Sequence, residues 1–455
     1  MNEHIDFERT VAGHIADEGV SPPSDAFYDE LFSRAADKGP RPEWLALIKE
    51  PPMRTNSHLA VGSPTFRVAA ILAATFLLAV ALAGIGIAGQ RLLAADDAIV
   101  VAADGSGDYT TISEAVAAAV DGDMIMVRPG EYTDPVYVDK DISVIGDGPR
   151  DEIVIGGHDM SATIADSDCE SEFPCMLLLD QSDASLSNVT IRGAFAGVGV
   201  VGGAPTIEGV LFDQNMERTS DGAPFSGVVL SIGEDSAAQI IDNEFMGDSD
   251  LTIQDGANPL VEGNTLDGWG INAAWPGDDA ILRGNEINGS RASGISIHHA
   301  STLLIEDNVI RDVTRDGITA DFNGARGFDA VVRGNTISGN AGSGIAMGSG
   351  ANPTIEGNTL ADNNFGIFLQ VGDAIVRDND VNGGAIGIVV AGGGAQQITG
   401  NTIETTGRGI SITNGSAATL SGNTVCGEEE SIFVDDRSEP TIDDTNETCD
   451  GPDAA

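Results

Sequence analysis

The chain's only pair of adjacent histidines, His298–His299, stands in "SGISIHHAS", and 23 residues after His298 the stretch "DGITADFNG" puts Asp321 at the equivalent place. A His and an Asp side by side are the parts of a general acid/base pair. The other histidines, His4, His14, His58 and His158, stand alone. Aligning the glycine-apolar themes around these stretches brings Gln254–Asp255, Ala274–Trp275, His298–His299, Asp321–Phe322 and Gly348–Ser349 into one column. In that column Gln254, Asp255 and His299 offer polar contacts, and Trp275 and Phe322 offer flat faces on which a sugar ring can stack. Period-two alternation sends Ile295 and Ile297 inward and His298 outward, and Ile318 and Ala320 do the same for Asp321. An exposed strand end tolerates any polar residue, so the column is a set of candidates rather than a complete constellation.

A column needs a repeat to build it. "ANPLVEGNTLDGWGI" at 257–271 returns almost intact as "ANPTIEGNTLADNNFGI" at 351–367. Asparagines recur at Asn188 (in "SNVTI"), Asn243, Asn264, Asn285, Asn308, Asn335, Asn358, Asn379, Asn401 and Asn423. From Asn243 onward the spacings are 21, 21, 23, 27, 23, 21, 22 and 22 residues, and Val210 fills the place between Asn188 and Asn243. Between asparagines run "SGIAMGSGA", "FGIFLQVGD", "IGIVVAGGG" and "RGISITNGS", short alternating apolar runs separated by Gly, Asn and Asp turns. Such runs read as strands with one face inward, and a coil of about 22 residues makes a β-solenoid. Asparagine suits a repeated corner because it tolerates the left-handed backbone conformation and because stacked amides hydrogen-bond from coil to coil. A leucine-rich repeat would place Leu at L-x-x-L-x-L before its Asn. These coils carry Ile and Val beside glycine instead.

The pattern resembles the right-handed parallel β-helix repeat of the pectin-lyase-like superfamily over residues 98–445, leaving 446–455 as a tail. The stretch "IVVAADGSGDYTTISEAVAAAVDGDMIMVRPGEYTDPVYVDKDISVIGDG", residues 99–148, resembles the opening of pectinesterases. Within it Thr111 and Glu114 form a capping box ahead of an Ala-rich helix that can lid the end of the solenoid, and the segment from Cys426 to Cys449 would close the other end. The likeness implies scaffold and not esterase chemistry. Asp255 and Asp321 are 66 residues apart, three coils rather than one, and no Arg-Pro-Trp signature follows. The paired aspartates, Gly-His and Arg-x-Lys of polygalacturonases are also missing, and Asp278–Asp279 reads as a turn.

The elements ahead of the solenoid set where it works. Residues 68–89 are 22 residues without a charge, long enough to cross a hydrocarbon layer as one helix. Lys49, Arg54 and Arg67 precede this span, and after Arg91 no basic residue appears until Arg128. The positive-inside bias thus expects residues 1–67 in the cytoplasm and the remainder outside, joined by a linker at 90–97. The tail contains "SDAFYDELFSRAADKG", a short helical pattern with Phe27, Leu31 and Phe32 on its apolar side and a stop at Gly39. A cytoplasmic partner for it is one reading, a plain juxtamembrane segment the other. Formal charge is −49 for the 455 residues, and residues 92–455 hold 60 acidic against 14 basic groups. No basic stripe exists to replace phosphate counterions, which excludes a nucleic-acid binder.

All four cysteines follow the span, where disulfides persist. Proximity favours Cys169–Cys175 and Cys426–Cys449, and no Cys-x-x-Cys or nearby His supports zinc. The acidic turns "DSDCESE" and "DDTNETCD" offer oxygen ligands of the kind Ca²⁺ takes but match no defined calcium loop. No other cofactor is indicated. Two function classes remain. One is a cell-membrane-anchored, extracytoplasmic module that binds polysaccharide or another cell-envelope partner. The other is a polysaccharide-active enzyme of the uronate lyase or epimerase type, using His298 and Asp321.

Overall fold

The computed structural model describes residues 98–449 apart from 157–174, 194–195, 214–226, 234–235, 248, 255, 275, 299–301, 322–328, 349 and 371. The chain divides into two units, Met1–Ala88 and Gly89–Ala455, and the described residues belong to the second. The expectations for 1–67, 68–89 and 90–97, and the Cys169–Cys175 pairing, fall outside the described residues. Among the described residues no helix is long and apolar enough to cross a membrane.

Three parallel sheets of 15, 14 and 13 strands run along one axis. Each coil visits them in turn. Gln239–Ile241 lies in the first sheet, Glu244–Met246 in the second and Ser249–Ile253 in the third. Leu260–Glu262 then returns to the first, one rung on, with Gln239 opposite Leu260. This is the parallel β-helix the repeat predicts. Strands of three residues send the middle side chain inward, so Val261, Leu282, Ile305, Val332 and Ile355 stack in one buried column. Phe212 and Phe245, on adjacent rungs of the second sheet, stack inside with centroids 4.5 Å apart. One continuous apolar core extends from Val101 to Val425.

The corner between the first and second sheets takes two residues. The first is left-handed: Asp242 (φ 52°), Gly263 (70°), Asp307 (56°), Gly334 (65°) and Asp378 (56°). Glycine and aspartate are among the residues that adopt this conformation most readily. The second is the buried asparagine. From Asn264 on, each Asn Oδ1 accepts the backbone N–H and an Nδ2–H of the preceding rung's asparagine, while Asn243 Oδ1 accepts the Val210 N–H at 2.9 Å, and each Nδ2 donates onward to the next Oδ1. At Asn335 both incoming bonds from Asn308 and the outgoing bond to Asn358 are 2.9 Å. The chain of amides runs through Asn243, Asn264, Asn285, Asn308, Asn335, Asn358, Asn379, Asn401 and Asn423.

Three details differ from the sequence reading. The left-handed residue is the one before the asparagine, because the amide is committed to the ladder. Asn188 is itself that left-handed residue (φ 56°). The register pairs Ile191 with Phe212, so Val189 rather than Asn188 holds the ladder place in its coil, and Asn188 donates to the carbonyls of Gly146 and Gly148 at 2.8 and 3.0 Å. Asn446 adds a tenth member, accepting from Asn423 N–H and Nδ2 at 3.1 and 2.8 Å.

The ends are closed by different means. Helix α1, Ile112–Ala118, packs Ile112, Ala115 and Val116 on the core, and Thr111 Oγ1 accepts the Glu114 N–H at 3.2 Å. Its last carbonyls are met by the Lys140 ammonium, which donates to Val116, Ala117 and Ala119 at 2.8, 3.2 and 2.9 Å and places a positive charge where the helix dipole favours one. At the far end Cys426 and Cys449 form a disulfide. Glu447–Thr448 pairs with Thr424–Gly427, so the last rung reaches past the expected boundary at 445.

Candidate functional site

The third sheet carries the candidate column. Ala273 pairs with Ile297, Ile297 with Ala320, His298 with Asp321, and Ala320 with Met347. Together with the pairing of Ile253 and Ala273, these registers set Gln254, Ala274, His298, Asp321 and Gly348 on successive rungs about 4.8 Å apart. In Ile295–His298 the isoleucines are buried while Ser296 and His298 are partly exposed. Asp255, Trp275, His299 and Phe322 lie outside the described residues, and for Asp321 only the backbone is described.

The same register extends the column. Met347 pairs with Leu369, Leu369 with Val390, Ala391 with Thr413 and Ile412 with Val434, which adds Gln370, Ala391, Thr413 and Asp435. These were not singled out from the sequence. Continuing the Gly-apolar alignment past Gly348 would have found them. Burial pushes the Asp435 carboxyl up, but hydrogen bonds from the Ser438 hydroxyl and from the N–H groups of Asn414 and Arg437, with the Arg437 charge, hold it below the usual carboxylate range. At the opposite end of the sheet the Tyr137 hydroxyl donates to Asp180 Oδ2 at 2.5 Å.

Basic groups are few here. Arg291 and Arg315 lie in turns that lead into the strands, at the opposite end from His298 and Asp321, and Arg326 is outside the described residues. Among the described residues Arg408 is the only Arg or Lys within a strand of the third sheet. Its guanidinium lies 3.8 Å from the Phe433 ring centroid, with Glu430 Oε2 3.8 Å from its Nε. Five rungs separate Arg408's strand from that of His298, about 24 Å. That is too far for Arg408 to touch a group reacting at His298, though one extended ligand could reach both.

Among the described residues no group of three or more His, Cys, Asp or Glu side chains is arranged to hold a metal ion. Of the two acidic turns, 166–172 is outside the described residues. In the other, Asp443 is engaged internally: the Thr445 N–H donates to Asp443 Oδ1 at 2.8 Å, and this bond holds the carboxyl below its ordinary range.

A family model described as the right handed beta helix region matches residues 153–326, 226–370 and 293–447. A pectinesterase family model matches residues 98–169, so the candidate column lies wholly outside that match. The pectinesterase/pectinesterase inhibitor of Ficus pumila var. awkeotsang is 39% identical over 15% of this chain and 15% of its own. The pectinesterase of Daucus carota is 40% identical over 15% of this chain and 26% of its own. The chain thus spans about a quarter or less of these relatives. Among solved structures, the periplasmic alginate epimerase AlgG is similar at a TM-score of 0.48 and 13% identity, over 75% of this chain and 82% of that one.

Proposed function

We propose a polysaccharide-directed role on the premise that the chain belongs to the right-handed β-helix family: a membrane-anchored, extracytoplasmic module that holds an extended glycan or cell-envelope partner along its third sheet. The observation that supports this is the continuous register of that sheet, which lines up Gln254, His298, Asp321 and Gln370 along the axis. A polymer with a regular repeat is met most economically by a surface with a regular repeat. In this reading residues 68–89 are the anchor, and residues 1–67 face the cytoplasm and any partner there.

A second reading has its own observation. His298 and Asp321 are direct neighbours in the register, and a base beside a carboxylate suits proton abstraction next to a uronate carboxyl, the step shared by lyases and epimerases. Here His298 takes the proton and Asp321 orients the imidazole.

One experiment separates them. The full chain is presented with neutral and acidic polysaccharides, with and without Ca²⁺, and scored for retention and for ultraviolet-absorbing unsaturated products or inverted uronates. Retention without product supports the binding module, and product supports the enzyme. Neither retention nor product on any polymer refutes both.

A further inference from the structure

The outward face of the first sheet has a pattern that the proposed function does not use. On six consecutive rungs the third strand position reads Glu262, Arg283, Glu306, Arg333, Glu356, Arg377. On the same rungs the first position reads Leu260, Ile281, Leu304, Val331, Thr354, Ile375. Both patterns stop together, with Gln239 and Ile241 on one side and Gln397 and Thr399 on the other.

Within one chain the charges form a ladder. Glu262 and Arg283 are 2.9 Å apart, Arg283 and Glu306 3.7 Å, Glu306 and Arg333 2.6 Å, and Glu356 contacts Arg377. The carboxylates of Glu262 and Glu306 raise the affinity of Arg283 and Arg333 for their protons. Internal pairing explains the alternation. It does not explain five large aliphatic side chains at outward positions of the same rungs, each partly exposed. The twelve positions carry no net charge, on a part of the chain, residues 92–455, with 60 acidic and 14 basic groups. This is a neutral, aliphatic strip on a strongly acidic molecule, and contact through it brings no excess of like charge face to face.

The order of charges fixes how two strips can meet. Facing each other with their axes in the same direction, the strands run oppositely, so the charged column of each copy lies against the aliphatic column of the other and no charges pair. Turned end for end, Glu306 of one copy faces Arg333 of the other, Arg283 faces Glu356, and Glu262 faces Arg377. The two-fold axis then passes between the rungs of Glu306 and Arg333, and the contact is isologous. We propose that this strip is a self-complementary, antiparallel interface for a second copy of the chain. Six rungs span about 24 Å, which makes the contact smaller than the roughly 800 Å² per partner of a standard interface, so the association is weak and reversible.

The test uses the full chain in detergent in two differently tagged forms, at about 10–200 μM, with co-capture and sedimentation as readouts. Wild type should self-associate. Arg333→Glu alone and Glu306→Arg alone should each weaken association about tenfold or more, by setting like charges across the axis. Mixing the two variants should restore it, because each altered residue then meets its opposite. Thermal melts check that both variants are folded. Should either melt early, Arg377→Glu with Glu262→Arg makes the same comparison at the outer rungs. A monomeric wild type, single variants that associate normally, or a mixture that fails to recover would each overturn the interface. A transmembrane contact between copies would survive each of these charge changes and is told apart in this way.

Discussion

Replacing Asn335 with alanine tests the ladder where it is best enclosed. Asn335 is fully buried, its Oδ1 accepts the Asn308 N–H and Nδ2–H, and its Nδ2 also reaches the Ile305 and Arg333 carbonyls at 3.0 Å each. Alanine leaves the buried Asn308 N–H with no acceptor there, and an unmade buried bond costs about 1–3 kcal/mol. The vacated amide is a cavity of roughly 40 Å³, which adds about 1 kcal/mol at 24 cal/mol per Å³. The expected loss is about 3 kcal/mol. The neighbouring Thr336, exposed on the second sheet, should lose no more than about 0.5 kcal/mol as alanine. Urea unfolding followed by far-ultraviolet circular dichroism gives the global figure. Because a solenoid couples mainly neighbouring coils, amide exchange at residues 308 and 335 gives the local one. If Asn335→Ala matches Thr336→Ala in both measurements, the ladder is decoration and the packed core alone holds the register.

Cys449→Ser should lower stability, and the closed loop of 23 residues sets an upper figure of roughly 3 kcal/mol from chain entropy. Amide exchange should show the change confined to the last rungs, and even loss along the axis would contradict it. The Asp435 carboxyl has its folded value depressed, so its contribution is present above the unfolded value near 3.9 and is lost as pH falls through the lower folded value. Asp435→Asn should therefore flatten the acid limb of an unfolding curve below about pH 4, and an unchanged limb would refute the assignment. His298→Ala and Asp321→Ala should each abolish any lyase or epimerase activity found while shifting stability by no more than about 0.5 kcal/mol, and activity that survives both leaves the binding reading alone. On intact cells a membrane-impermeant thiol reagent should label cysteines introduced after residue 95 and none before residue 67, and the reverse would overturn the orientation.

The inward half of each strand was legible because Ile and Val at period two, returning every 21 to 27 residues, leave one way to wind the chain. The cap was legible for the same kind of local reason, Thr111 and Glu114 standing three apart before an Ala-rich run. Asn188 was misplaced by one residue because "SNVTI" offers two apolar residues, Val189 and Ile191, against which an asparagine can be counted. Only the pairing of Ile191 with Phe212 decides between them, and in a strand a one-residue slip exchanges the two faces. Asn446 was lost in an expected tail. The Glu/Arg ladder escaped notice because its members are a coil apart and each looks like an ordinary charged surface residue. At the candidate site, the rungs of Gln254, His298 and Asp321 follow from the same periodicity. What their side chains do depends on turns whose lengths vary, and periodicity says nothing about those.

The amide ladder has a direction. Each asparagine between the two ends receives from the coil before and gives to the coil after, whatever the number of coils. A coil cut out or copied whole at the corners therefore leaves each remaining joint as it was: a left-handed Gly or Asp, then Asn. The near-duplicate phrases at 257–271 and 351–367 carry the same joint, Gly263–Asn264 and Gly357–Asn358, four coils apart. Length in this molecule is thus adjustable in steps of one coil, about 4.8 Å of reach each, and the span of its outer faces can be tuned without redesigning the inside.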